Sequence, residues 1–175
     1  MFEIRKCEES DIPAVGAFYD ALIYHLLQRI NYPKWMYNIY PYESFVQEDV
    51  ASHGQYACYD AGQVCGAFVL NEDPEGSYER GKWRYPLEQG QYQVIHAFGV
   101  DYHRNRQGIG SRMLRYCIHL AQTQGYRAIR LDVVPGNTPA RKLYEKFGFL
   151  YAGEVDLDRG NTSFPTFGLY ELNFS

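Results

Sequence analysis

The chain has 175 residues, with 17 Lys and Arg against 21 Asp and Glu, a formal net charge of −4 and a pI near 5.7. That length supports one domain over residues 1–175 and leaves little for a second, while the acidic balance argues against holding nucleic acid by general electrostatics. No apolar run approaches membrane-spanning length, and the opening Met1-Phe2-Glu3-Ile4-Arg5-Lys6 has charges where a signal peptide needs an apolar stretch, so a soluble cytoplasmic protein without a membrane partner is expected.

Residues 2–5 alternate as a first strand, and Ser10-Asp11-Ile12-Pro13 supplies a cap and a first-turn proline for a helix to about residue 28. A stretch over 31–45 is crowded with Tyr32, Trp35, Tyr37, Tyr40, Tyr42 and Phe45, broken by Pro33 and Pro41, before a short helix over 43–52. So many rings are either amphipathic tyrosines packed under a loop or the wall of a pocket. Residues 55–59 and 63–70 read as strands joined by the hairpin turn Asp60-Ala61-Gly62. A polar excursion over 71–91 carries Trp83 and Tyr85, and the next strand covers 92–100.

From Val100 an apolar strand gives way to a basic glycine turn and then to an amphipathic helix. Gly108 and Gly110 remove side chains where a phosphate would approach the backbone, and the helix that follows offers free N–H groups and a favourable dipole. Arg104 and Arg106 add positive charge at the rim. The alternative is an ordinary strand-to-helix connection. Ile109, Met113, Cys117 and Leu120 recur at helical spacing, predicting a helix over about 108–124 that Gly125 ends. A strand over 128–134 follows, stopped by Pro135-Gly136, and the strand–helix–strand order makes the flanking strands parallel neighbours. A helix over 138–147 closes at Gly148, and strands over 149–156 and 166–174 finish the chain. Cys7, Cys58, Cys65 and Cys117 are scattered, with no Cys-x-x-Cys pair and no histidines at metal-ligand spacing, so reduced thiols and no metal are expected. No Lys-Ser/Thr pair follows the glycines, which argues against a P-loop nucleotide enzyme.

The glycine turn precedes, at a fitting distance, the segment Leu131-Asp132-Val133-Val134-Pro135-Gly136-Asn137-Thr138-Pro139-Ala140-Arg141-Lys142-Leu143-Tyr144-Glu145-Lys146-Phe147-Gly148-Phe149. Together the two motifs resemble the GNAT superfamily of acetyl-coenzyme A-dependent N-acetyltransferases, closely over 92–150 and loosely over 4–17. The resemblance implies an α/β fold with a mixed, mostly antiparallel central sheet of six to seven strands, a splayed parallel pair and about four flanking helices. It implies that the backbone of Phe98, Gly99 and Val100 holds the pantetheine arm, that Arg106, Gln107, Gly108, Ile109, Gly110 and Ser111 line the pyrophosphate, and that Asn137 holds the pantetheine, although Asn137 also reads as a helix cap. One departure is Asn105, where the family has Gln or Arg, with Arg104 or Arg106 expected to compensate in part.

Acetyl transfer by direct attack needs a neutral amine, a polarised carbonyl and a proton for the departing thiolate. Tyr144 matches the family's general acid, Asp132 and His96 are the two candidate bases, and a backbone N–H near Phe98 would polarise the carbonyl. The implied acceptor is a primary amine of a small molecule or peptide, its pocket drawn from 32–45, 71–91 and 158–166 with Glu43 or Asp158 facing a cation. An acyl-CoA-binding sensor with little turnover is the alternative. An exposed last strand would offer the edge for a homodimer.

Overall fold

A computed structural model describes residues 2–104, 106–161 and 163–175. The elements in chain order are β1 (Glu3–Lys6), α1 (Ile12–Leu27), α2 (Glu43–Ala51), β2 (Gln55–Asp60), β3 (Gln63–Asn71), β4 (Tyr92–Val100), α3 (Ile109–Thr123), β5 (Ala128–Val133), α4 (Thr138–Lys146), β6 (Leu150–Asp156) and β7 (Thr166–Asn173). Among the described residues the strands form one seven-stranded sheet in the order β1-β2-β3-β4-β5-β7-β6, mostly antiparallel, with β4 and β5 parallel. The mixed α/β sheet with four helices is the one the resemblance implies. The last strand is not an edge, because β7 lies between β5 and β6. No helix among the described residues is long and apolar enough to cross a membrane.

The chain divides into two compact units: the residues up to Asn71 with His96–Cys117, and Glu72–Ile95 with Ile118–Ser175. In the first unit β1, β2 and β3 pair antiparallel, with Ile4 opposite Cys58 and Tyr56 opposite Phe68. Val15, Phe18, Tyr19 and Leu22 recur at three- and four-residue spacing on α1 and pack with Val46 and Val50 of α2 and Ala57, Tyr59 and Ala67 of the strands. Each valine, leucine or phenylalanine of this set taken fully out of water contributes about 1.5–3 kcal/mol. The expected cap is used differently. Asp11 precedes α1 but makes no side-chain cap bond; its carboxylate accepts from the Glu8 N–H at 2.8 Å, from the Tyr59 hydroxyl at 2.9 Å and from both guanidinium ends of Arg5 at 2.7 and 2.8 Å.

In the second unit β5 runs parallel to β4, with Tyr92 opposite Ala128, and antiparallel to β7, with Ile129 opposite Leu172. Gly125, at φ +84°, turns the chain out of α3, and the Tyr126 N–H closes on the Ala121 carbonyl at 3.0 Å. The core gathers Tyr78, Tyr92, Val94, Ala128, Ala152, Leu157, Phe167 and Leu169. The excursion before β4 therefore covers part of the sheet with its own rings. Tyr78 is buried, the Trp83 indole donates to the Tyr78 carbonyl at 2.6 Å, and the Arg130 guanidinium lies 4.2 Å from the ring centres of both Trp83 and Tyr92.

Candidate active site

In the first unit the candidate residues sit on the tail of β4 and the turn into α3. The parallel register of β4 stops at Ile95 opposite Leu131, although β4 runs on to Val100 and β5 to Val133. Two residues past that point Ala97 has φ +47°, a left-handed conformation that costs a non-glycine residue about 1–3 kcal/mol. The kink therefore needs support from its surroundings. The Tyr19 hydroxyl of α1 supplies it, donating to the Ala97 carbonyl at 2.7 Å. His96, just before the kink, is buried; Phe98, just after, is half-buried with its ring 6.0 Å from that of Phe68. A Cβ at Gly99 would come within 2.9 Å of Leu22 and 3.3 Å of Trp35, so a side chain there would have to push those two aside.

Gly108 is different, with φ +76° and nothing within 4 Å of where a Cβ would sit. Its carbonyl accepts the Arg112 N–H at 3.0 Å, making it the N-cap of α3. The N–H groups of Ile109, Gly110 and Ser111 thus precede the first closed helical bond, at the positive end of the helix dipole. Bare amides beside an open glycine fit a diphosphate. Arg106 and Gln107 are exposed on this turn, but Arg104 is committed elsewhere: it pairs with Asp60 at 2.6 Å and lies 3.7 Å from Asp101. Rim charge expected from two arginines therefore falls to Arg106. Asn105, the departure from the family pattern, lies outside the described residues.

In the second unit Asp132 is held in a bidentate pair with Arg159, at 2.9 and 2.8 Å, and accepts the Tyr78 hydroxyl at 2.7 Å. Burial works against the Arg159 charge, but the charge and hydrogen bonds of Asp132 outweigh it and hold the guanidinium above its ordinary range. Arg159 also donates to the carbonyls of Glu75 at 2.6 Å and Pro74 at 3.1 Å, so one carboxylate ties three chain segments together. Asn137 is the N-cap of α4, its side-chain oxygen accepting from the Ala140 N–H at 3.3 Å. Tyr144 is buried with its ring 5.6 Å from that of Phe149. A cavity of about 440 Å³ lies beside the α4 cap, lined by Val133, Asn137, Arg141, Glu145, Tyr151 and Tyr170 among others.

The two carboxylates considered for a cationic acceptor fare differently. Asp158 is taken by Arg80 at 2.6 Å and by the Ser77 hydroxyl at 2.7 Å. Glu43 lies against Gly16 of α1, and burial together with its charge raises the Asp20 carboxyl. All four cysteines are buried free thiols, with burial pushing Cys7 up to about 11 and Cys58 up to about 12. Neither is a ready nucleophile. No cluster among the described residues could hold a metal ion. Sequence reasoning passed over Tyr19, Ala97, Tyr78 and Arg159, because a tyrosine on an apolar helix face and an arginine in a polar loop carry no local signal of a partner tens of residues away.

The sheet is that of known acetyltransferase structures. A GNAT-family acetyltransferase of Streptococcus agalactiae superposes with a TM-score of 0.79 over 99% of this chain and 96% of its own, at 16% identity. Residues 21–149 match the pattern of the acetyltransferase (GNAT) family, and the chain belongs to that family. It is 37% identical over 101 residues to a probable spermine N(1)-acetyltransferase of Bacillus subtilis subsp. natto and 36% identical to the spermine/spermidine N(1)-acetyltransferase of Bacillus subtilis strain 168. Both matches take in 57% of this chain and span 61% of the relatives' length.

Proposed function

We propose that the chain is an N-acetyltransferase that moves the acetyl group of acetyl-coenzyme A to a primary amine, with a polyamine as the acceptor class. The observation that carries this is the mouth of α3, where an open left-handed Gly108 stands before three first-turn amides. Membership of the family and the names of the polyamine-acetylating relatives support it. Arg106 through Ser111 would take the diphosphate, the backbone of Phe98, Gly99 and Val100 the pantetheine arm, and Asn137 would donate through its amide nitrogen while its oxygen caps α4.

An amine with a pKa near 10.4 is neutral in only on the order of one molecule in a thousand at pH 7, so removing its proton is part of the barrier. We assign that step to His96. Asp132 is the weaker candidate, since two bonds from Arg159 and one from Tyr78 already occupy both of its carboxylate oxygens. The Phe98 N–H would polarise the thioester carbonyl and Tyr144 would return a proton to the departing thiolate. We take residues 1–175 as one catalytic domain and assign it to the cytoplasm, where buried free thiols stay reduced. A homodimer would form on β6, which stands at one end of the sheet.

Titration calorimetry with acetyl-coenzyme A, followed by thiol release over a panel of amines that includes spermine and spermidine, tests the proposal. Turnover with the polyamines is the expected result. Tight binding with no turnover across the panel would overturn it and leave the sensor.

A further inference from the structure

The kink in β4 has a dedicated support that neither motif contains. Ala97 stands at φ +47° between His96 and Phe98, and the Tyr19 hydroxyl meets its carbonyl at 2.7 Å. Tyr19 is fully buried and Ala97 half-buried, so the phenol reaches the strand from within the core. The same face of α1 carries Leu22, three residues on, and Leu22 and Trp35 together close on the site where a Cβ at Gly99 would stand. Trp35 in turn lies edge-on to Tyr19, with ring centres 5.9 Å apart. Two β4 residues, Ala97 and Gly99, are thus gripped by one patch of side chains, one through a hydrogen bond and the other through packing.

We propose that Tyr19 is a positioning residue of the transferase: its bond to the Ala97 carbonyl holds the kink that aims the backbone of Phe98, Gly99 and Val100. This rests on the assignment of those three residues to the acetyl-coenzyme A arm. The hydroxyl touches no reacting group. It fixes the direction of the Phe98 N–H, and a donor swung away from a developing oxyanion is lost to catalysis even when the cosubstrate still binds. A non-glycine residue leaves the left-handed conformation unless its neighbours over-determine it, and the Tyr19 bond supplies that constraint at Ala97.

Tyr19→Phe keeps the ring and its packing and removes the bond. Tyr59→Phe, which also strips a phenol from the same core but meets Asp11 instead, is the matched control. In the full chain, Tyr19→Phe is expected to lower kcat by about tenfold, the scale of a small misplacement, with the spermidine KM unchanged and Tyr59→Phe turning over as the parent does. The amide resonances of Ala97–Val100 in a ¹⁵N–¹H spectrum of the unliganded chain should move in Tyr19→Phe and stay in place in Tyr59→Phe. Resonances that do not move, or a kcat equal to the parent's, overturn the inference. A parent chain that neither binds nor turns over acetyl-coenzyme A overturns the transferase assignment instead, and the resonances still decide whether Tyr19 sets the kink.

Discussion

Each unit contains a clamp made of the same three parts, an arginine, an aspartate and a tyrosine. In the first, Arg5 grips Asp11 through two bonds of 2.7 and 2.8 Å, the Tyr59 hydroxyl adds a third, and the guanidinium lies 4.4 Å from the Tyr59 ring centre. In the second, Arg159 grips Asp132 through bonds of 2.9 and 2.8 Å, Tyr78 adds the third, and the guanidinium lies 4.9 Å from the Phe167 ring centre. The chemistry is shared and the reach of the arginine is not. Arg5 and Asp11 are six residues apart and fix one strand-to-helix turn, whereas Arg159 is 27 residues from Asp132; the tyrosines reach alike, Tyr59 lying 48 residues from Asp11 and Tyr78 54 from Asp132. The second clamp also sits deeper, with its arginine 24% exposed against 40% for Arg5. A bidentate pair at a surface turn trims a local ensemble, while one that ties distant segments decides whether those segments are ordered at all.

The comparison breaks first, and most visibly, at Arg159. Arg159→Met leaves a largely buried Asp132 with Tyr78 alone and releases the carbonyls of Pro74 and Glu75, so urea unfolding should show a loss of about 3–5 kcal/mol, as for other buried pairs stripped of one partner. Asp132→Asn should then lower turnover only as far as it lowers the folded fraction. A folded Asp132→Asn with turnover abolished would make Asp132 the base after all and the clamp a by-product.

The next largest effect belongs to Asp11→Asn, about 1.5–3 kcal/mol and toward the lower end, because water competes for the more exposed Arg5. It also carries a pH signature. The hydrogen bonds from Arg5, against the opposing effect of burial, hold the Asp11 carboxyl well below the usual carboxylate range. A folded-state value below the unfolded one means that this stability is fully present above about pH 5 and is lost as pH falls through the folded value. Urea midpoints measured from pH 7 downward should therefore fall less steeply for Asp11→Asn than for the parent. Parallel curves would show that Asp11 is not a source of the acid limb.

The same difference in reach explains what could be read from the sequence. The stripe Ile109, Met113, Cys117 is periodic and local, and it appears in the structure as the buried face of α3. Gly108 read as part of a glycine turn before a helix, and in the structure it stands before α3 at φ +76°. Gly99 entered only as a backbone position implied by the family resemblance, and its lack of a side chain answers to Leu22 and Trp35, which the sequence places 77 and 64 residues earlier. The rings over 31–45 divide likewise: Trp35 joins the first core, while Tyr37 stays exposed. Asp132 was legible as a carboxylate at a strand end, but its partners come from loops whose residue types promise only solvation. A motif records what the chain does within a few turns of itself, and the long-range clamp leaves no periodic trace.

The finest contrast is between the two phenols. Tyr59→Phe and Tyr78→Phe each remove one hydroxyl and leave the arginine fork intact, so both fall within the range of a single hydrogen bond, about 0.5–1.5 kcal/mol. They should not be equal. After the first change Asp11 keeps Arg5 and the Glu8 N–H at 2.8 Å, whereas after the second Asp132 keeps Arg159. Tyr78 is also the more buried of the two, at 2% against 7%, and its ring stays pinned beside Trp83 at 5.6 Å, so the space left by its hydroxyl cannot close. Unfolding free energies from urea titration should place Tyr78→Phe below Tyr59→Phe by about 1 kcal/mol, since Asp11 keeps a backbone donor beside its arginine and Asp132 keeps its arginine. Equal losses would mean that depth and reach do not separate the clamps, and that the cost at Arg159 comes from the freed carbonyls of Pro74 and Glu75 rather than from the buried charge.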